Sequence, residues 1–408
     1  MAITASPETF KKVPRVSMSA QERRSSITLA SIYGLRMLGL FLILPVFAIY
    51  TSTLPGGSDQ FLVGLALGIY GLTQAVLQIP FGLASDRFGR KPVMMFGLVI
   101  FAIGSFMAGT SHTLDGIIVG RAVQGAGAIS AAISAMIADS TRDENRTKAM
   151  AIVGMTIGMS FIVSLIAAPL LYHAIGVPGM FMLTGVLAVV AIAVIKWVVP
   201  DMPMITHAKE PGASAPRDSV FTPALLRLHF SIFVVNFTQV AMFVVVPVAL
   251  VHNAGIAVQQ HWMVYLPVTL GSFLVAIPGI IWAESRGHMR AVFVASVALM
   301  GLTMLGFAFD YTRPVPLIAA LFSFFVAFNV MEALIPSLVS RTAPPTRKGL
   351  ALGIYNTAQS LGLFAGGAAG GWIAKSWSSK GVFLACAALS LVWLVVACFI
   401  QPPPKRGH

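Results

Sequence analysis

Three ionisable side chains stand deep inside long apolar stretches of the chain: Arg36, Arg121 and Glu332. Facing hydrocarbon, such a group costs about 3 kcal/mol or more, so it turns toward a protein interior or a wet cavity and marks a candidate functional position. At 1.5 Å per residue, Arg36 lies ~14 Å into its stretch and Glu332 ~12 Å from the end of its own. Both depths are near the middle of a hydrocarbon layer ~30 Å thick. Arg121 sits closer to one end of its stretch. Burial disfavours the charged form of a carboxylate, so Glu332 has the chemistry of a group that loads a proton on one side and releases it on the other. Each charge moved inward gains ~2.3 kcal/mol per 100 mV of membrane potential. Direct binding of a cationic compound is a rival role for Glu332 that competition would let coexist, and a neutral, hydrogen-bonded structural Glu is a third. Arg36 reads either as a cavity charge working with Glu332 or as a link between helices.

Around these three lies a sparse polar set that could line a substrate cavity. Tyr70, Gln74 and Gln78 fall at i, i+4 and i+8, one face of a helix. Asn236, Gln239, Asn329, Tyr355, Asn356 and Gln359 complete it, each also able to serve only as a hydrogen-bonding partner between helices. Phe (27) and Met (20) are plentiful, and some of them could form an adaptable apolar wall. Few charges and much apolar surface suit lipophilic small molecules better than sugars or phosphates. No ATP-binding loop, metal-ligand spacing or activated nucleophile is apparent, so no enzyme activity, metal or cofactor is expected. The glycines around 366–371 sit in an apolar stretch with no strand before them, which fits tight helix packing rather than a phosphate cradle.

The elements that must hold these residues follow from composition. Charged residues are 10% of the 408 and hydrophobic ones 57%, against about a quarter charged in soluble domains. A water-facing surface cannot be built from this chain, whereas bilayer-spanning helices of ~20 apolar residues can. Apolar runs predict twelve spans, near 27–50, 61–84, 92–110, 115–138, 149–172, 178–199, 223–250, 262–283, 291–309, 315–339, 349–374 and 381–400. The expected organisation is a tail (1–26), a six-helix bundle (27–199), a Pro/Gly/Ser-rich linker (200–222), a second six-helix bundle (223–400) and a tail (401–408). The basic first residues hold no apolar core ending in a cleavage site, so the first span is expected to remain as an anchor. Net charge is +13, yet 22 of the 27 Lys and Arg lie in alternate connections and the tails, and 3 in the opposite connections. That asymmetry is a topology signal placing both termini in the cytoplasm; it argues against nucleic acid and for contact with anionic lipid headgroups. Cys386 and Cys398 are twelve residues apart in one span, too far to bridge.

The halves repeat. Pro45-Val46 returns as Pro247-Val248, Asp86 and Gly89 as Glu284 and Gly287, and Arg146-Thr147-Lys148 as Thr346-Arg347-Lys348, at offsets near 200 residues. Such a parallel duplication of six spans places a substrate site at the midplane between halves. The charged turn 82-GLASDRFGRK-91, the stretch Arg121 to Ala128 (RAVQGAGA) and Leu38-Gly39 through Pro45-Val46 resemble three signatures of the major facilitator superfamily. Within it the chain is similar to the YajR-type branch of the drug:proton antiporters, through 33-YGLRMLGLFLILPVF-47 and 328-FNVMEALIPSLVSR-341. The resemblance implies an all-α fold of two pseudo-symmetric bundles in a bacterial inner membrane. It implies proton-driven export of small hydrophobic or cationic compounds by a monomer. Symport or facilitated passage of a small polar metabolite is the alternative. It implies further that Gly82, Asp86, Arg87, Gly89, Arg90 and Lys91 form a gating turn, with Asp86 capping the eleventh span near Gly349 and Arg90 paired with Asp139. These contacts would form when the cytoplasmic side closes. Arg121 matches the family position associated with proton coupling, with helix packing as its alternative role. Two departures stand out: Ser164-x3-Ala168-Pro169 replaces the antiporter G-x-x-x-G-P motif, and no soluble C-terminal domain follows 401–408, so regulation by one is not expected.

Overall fold

The computed structural model describes residues 17–199, 219–344 and 347–400. The expected tails, except for 17–26, lie outside these residues, as do most of the 200–222 linker and Thr346 of the third repeat. What is described is helical: α1 Ala20–Phe41, α2 Leu44–Thr51, α3 Gln60–Phe88, α4 Arg90–Thr110, α5 Leu114–Ala126, α6 Ser130–Asp139, α7 Asp143–Trp197, α8 Pro223–His252, α9 His261–Arg286, α10 Met289–Asp310, α11 Pro314–Thr342, α12 Lys348–Ser376 and α13 Ser379–Cys398. These make twelve crossings in two bundles of six, α1–α7 and α8–α13. Ten helical stretches are long and apolar enough to cross a membrane. One of them holds two crossings, because α7 turns at Gly176 (φ 64°). The glycine-rich α12, less apolar than the rest, supplies the other.

Local sequence explains where helices begin and break. Ser19 and Glu22 form a capping box at the start of α1, which satisfies two orphan N–H groups and starts the helix at Ala20, before the 27 expected from apolarity. The first crossing breaks at Leu42-Ile43, where Pro45 removes a helical donor. The fourth breaks at Gly127–Ile129; a Cβ at Gly127 would stand 2.4 Å from the Gly97 carbonyl oxygen, so only glycine lets α4 approach so closely. The α3–α4 turn needs Gly89 at φ 94°, and its repeat-mate after α9, Gly287, sits at φ 73°, a region favouring glycine. Each turn carries an acid–base clasp: Asp86, Arg90 and Asp139 in the first half, Glu284 with Arg341 (2.5 Å) in the second. The duplication seen in sequence therefore persists as geometry.

The halves meet along a seam of glycines. A Cβ at Gly64 would lie 2.1 Å from the Gly367 carbonyl oxygen, one at Gly71 2.4 Å from that of Ser360, and one at Gly371 2.4 Å from that of Gln60. At the end of this seam Lys375 Nζ donates to Asp59 Oδ2 at 2.7 Å, joining α12 to α3. We call this end of the molecule the distal face and the end carrying Ser17 and Ile400 the terminal face. Toward the terminal face α12 separates from α3: nothing lies within 4 Å of a Cβ added at Gly349 or Gly353. Among the described residues the halves are thus closed distally and parted at the terminal face.

Candidate transport site

The midplane of the first half is built around Tyr70 on α3, fully buried between two guanidinium groups. Arg36 from α1 and Arg121 from α5 each stand 5.6 Å from its ring centroid. Arg121 is wrapped: Nε donates to the Ala66 carbonyl at 2.7 Å, one Nη to that of Leu67 at 3.0 Å, and the other to Gln124 Oε1 at 3.4 Å. Gln124 in turn donates to Ser105 Oγ at 2.9 Å. Arg36 is held only by neutral groups, Ser130 Oγ at 2.7 Å and Gln74 Oε1 at 3.0 Å, and its Nε has no partner. Neither arginine meets a carboxylate among the described residues. Two buried positive charges are therefore left uncompensated in one bundle, an arrangement that attracts negative charge.

Glu332 on α11 is the one carboxylate of the described residues that stands away from a helix end. It is half-buried, and Asn236 Nδ2 on α8 donates to its Oε1 at 3.2 Å while also reaching the Ile232 carbonyl at 3.1 Å. Tyr33 on α1 and Tyr355 on α12 are both buried, so each bundle contributes polar groups to the midplane. Beside it, Phe161 of α7 packs on Phe41, Phe325 and Phe328 at ring distances of 5.0, 5.9 and 5.4 Å.

The expected cavity set divides. Asn236 and Tyr355 gather at Glu332, and Asn356 and Gln359 are half-buried on α12. Tyr70 and Gln74 are taken up by the arginines. Asn329 donates to Ser272 Oγ at 2.9 Å within the second half. Gln78 and Gln239 are buried with both amide atoms unpartnered. Sequence reasoning missed Ser130, which carries no charge and belongs to no motif. In the charged α3–α4 turn, Arg90 Nε donates to Asp139 Oδ2 at 3.0 Å, and its Nη1 donates to Ser85 Oγ and Asp86. Asp86 does not reach α12: its exposed carboxylate closes on Arg90 of its own bundle, because the halves are parted at this face. A second cluster missed in sequence lies nearby, where Glu22 accepts from the Arg142 backbone and guanidinium (2.9 Å each) and from Asn145 (3.2 Å).

Two repeated bundles around a polar midplane are the architecture of a membrane transporter. Residues 29–284 and 228–408 match the Major Facilitator Superfamily, and the chain belongs to that superfamily. Among its relatives is the inner membrane transport protein YajR of Escherichia coli, 43% identical over 95% of this chain and 85% of that protein. An uncharacterised transporter of Buchnera aphidicola is 32% identical over 94% of this chain and 98% of its own. The multidrug resistance protein MdtL of a Shewanella species is 34% identical over 30% of this chain and 34% of its own length. The human organic anion transporter MFSD10 superposes with a TM-score of 0.68 at 18% identity, covering 93% of this chain and all of that one. A bacterial homologue of the lysosomal transporter Spinster gives 0.71 at 13% identity, covering 94% and 97%. Both likenesses bear on the fold alone.

Proposed function

We propose that the chain is a proton-coupled exporter of small, mainly hydrophobic compounds, cationic ones among them, working as a monomer by alternating access in a bacterial inner membrane with both termini cytoplasmic. On this reading the terminal face is cytoplasmic, and the structure is open inward. The observation that carries it is Glu332: a single half-buried carboxylate one turn from Phe328, whose ring meets Phe161 of the other half, hydrogen-bonded to a neutral amide and free of any cation among the described residues. Such a group exchanges a proton without first breaking an ion pair. The similarity to YajR and, over a shorter stretch, to MdtL supports membrane transport with drug export as its direction. In the alternating cycle, closure of the cytoplasmic side would bring Asp86 to the start of α12, where the helix dipole favours a carboxylate by ~0.3–1 kcal/mol. Gly82, Arg87, Gly89 and Lys91 would shape that turn, with Arg90 and Asp139 bracing it; Arg121 and Arg36 would tune the field at the midplane. The membrane gradient supplies the energy, and no cofactor is required.

Symport of a small polar metabolite is the second reading, favoured by the two uncompensated arginines and by Ser164 and Ala168 in place of the antiporter glycines. The test is proton movement in liposomes with an internal pH dye, comparing wild type with Glu332→Gln against a panel of lipophilic compounds. Release of protons on adding compound, abolished in the variant, is the expected result. Proton movement in the same direction as the compound would select symport, and identical traces for the two proteins would remove Glu332 from the mechanism.

A further inference from the structure

The break in the fourth crossing places a helix start where no helix start is satisfied. α6 begins at Ser130, its N-cap residue Ile129 offers no side-chain hydrogen bond, and Ile129, Ser130 and Ala132 are fully buried. The first N–H groups of a helix have no partner within it, and the aligned peptide dipoles give that end about half a positive charge. The side chain of Ser130 itself meets Arg36, whose guanidinium is 1% exposed, lacks a carboxylate among the described residues and keeps a bare Nε. A buried cation and an uncapped buried helix start thus converge on one point, both demanding negative charge.

We propose that Arg36 and the start of α6 form a binding site for one anionic group, a carboxylate, on an otherwise apolar cargo. The preferred cargo is then a lipophilic organic acid, taken ahead of the cationic compounds that Glu332 alone would suggest. The guanidinium fork matches a carboxylate in geometry, and broken helices whose ends face the substrate are a recurrent device in transporters. Phe328, one turn from Glu332, and Phe161 offer apolar surface across the midplane. The proposal rests on the transport reading but holds for either direction of proton coupling. A proton on Glu332 and an anion at Arg36 each favour the other electrostatically, so acid-driven proton co-movement would select symport for the same site.

The test uses three probes of one shape and different charge: 1-naphthoate, 1-naphthylmethylammonium and 1-naphthylmethanol. Equilibrium dialysis against the purified full chain in micelles, with empty micelles subtracted, gives the affinities. Naphthoate is expected to bind at least about tenfold tighter than the amine, the worth of one charge-assisted hydrogen bond. Arg36→Gln should erase that preference and Arg36→Lys keep most of it. Gln74→Glu, which gives Arg36 an internal carboxylate without opening a cavity, should weaken naphthoate about tenfold and leave the alcohol unchanged. Equal or tighter amine binding, or indifference of naphthoate to both Arg36→Gln and Gln74→Glu, overturns the proposal. The antiport reading is read separately in the pH-dye assay: acid binding without proton movement would leave this site standing and remove the coupling, and amine-driven proton release would do the reverse.

Discussion

At the scale of single residues, this protein is governed by what its few buried polar atoms touch. Arg121 surrounds itself with carbonyls of α3 and acts as a strut between α3 and α5; Arg36, with the same side chain, is left partly bare. Sequence marked both as unusual because a charge in hydrocarbon always is. It could not say how each would be held, since that depends on which backbone atoms face each guanidinium. A quieter case is Trp393, fully buried, whose indole donates to Ser231 Oγ at 2.9 Å. Ser231→Ala leaves that donor unsatisfied and is expected to cost about 1–3 kcal/mol. Adding Trp393→Phe removes the stranded donor, so the double variant should lose less than the sum of the singles. Thermal unfolding of the purified protein followed by near-ultraviolet absorbance measures both.

At the scale of elements, close approach decides which helices pair. The α3–α12 seam exists because Gly64, Gly68, Gly71, Gly367 and Gly371 present backbone to backbone, in the way small residues draw membrane helices together. Gly367→Leu would drive a side chain into α3, where a Cβ alone already stands 2.4 Å from the Gly64 carbonyl oxygen. Overpacking of this kind costs about 1–3 kcal/mol. The unfolding midpoint should drop by a few degrees, or the seam should open, read as faster labelling of a cysteine introduced at the buried Ser360. Neither change would mean the seam is absent in the membrane. The small residues of α12 were legible in sequence as a packing face. Their partner was not, because nothing in a one-dimensional pattern says which of eleven other crossings a glycine stripe meets.

At the scale of the whole molecule, the two bundles are held in one pose by the seam and the ion pair of the distal face. On the distal face the Lys375 ammonium beside Asp59 holds its carboxyl below the usual carboxylate range. A depressed carboxylate contributes fully above its ordinary value of ~3.9 and loses that contribution as pH falls through the lowered one. The Asp59–Lys375 contact is therefore constant near neutrality, and its loosening is expected only in strong acid. Spin labels at the distal ends of α3 and α12 should report a longer distance below pH ~4, and Asp59→Asn should remove the acid-dependent step. At the other face, Asp86 is turned inward on Arg90 of its own bundle.

The sequence by itself determined the environment, the twelve crossings, their duplication and the residues too charged to be mere packing, because hydropathy and the cost of buried charge act on each segment alone. It also carried the family signatures, whose turns need glycine at particular backbone angles. Only the tertiary structure decided that Tyr70 belongs to the arginines and not to an open cavity, that Glu332 meets a neutral amide, and that a helix begins uncapped beside Arg36. Those facts depend on which faces of separate helices meet. Packing across the bundle fixes that choice, and no local propensity encodes it.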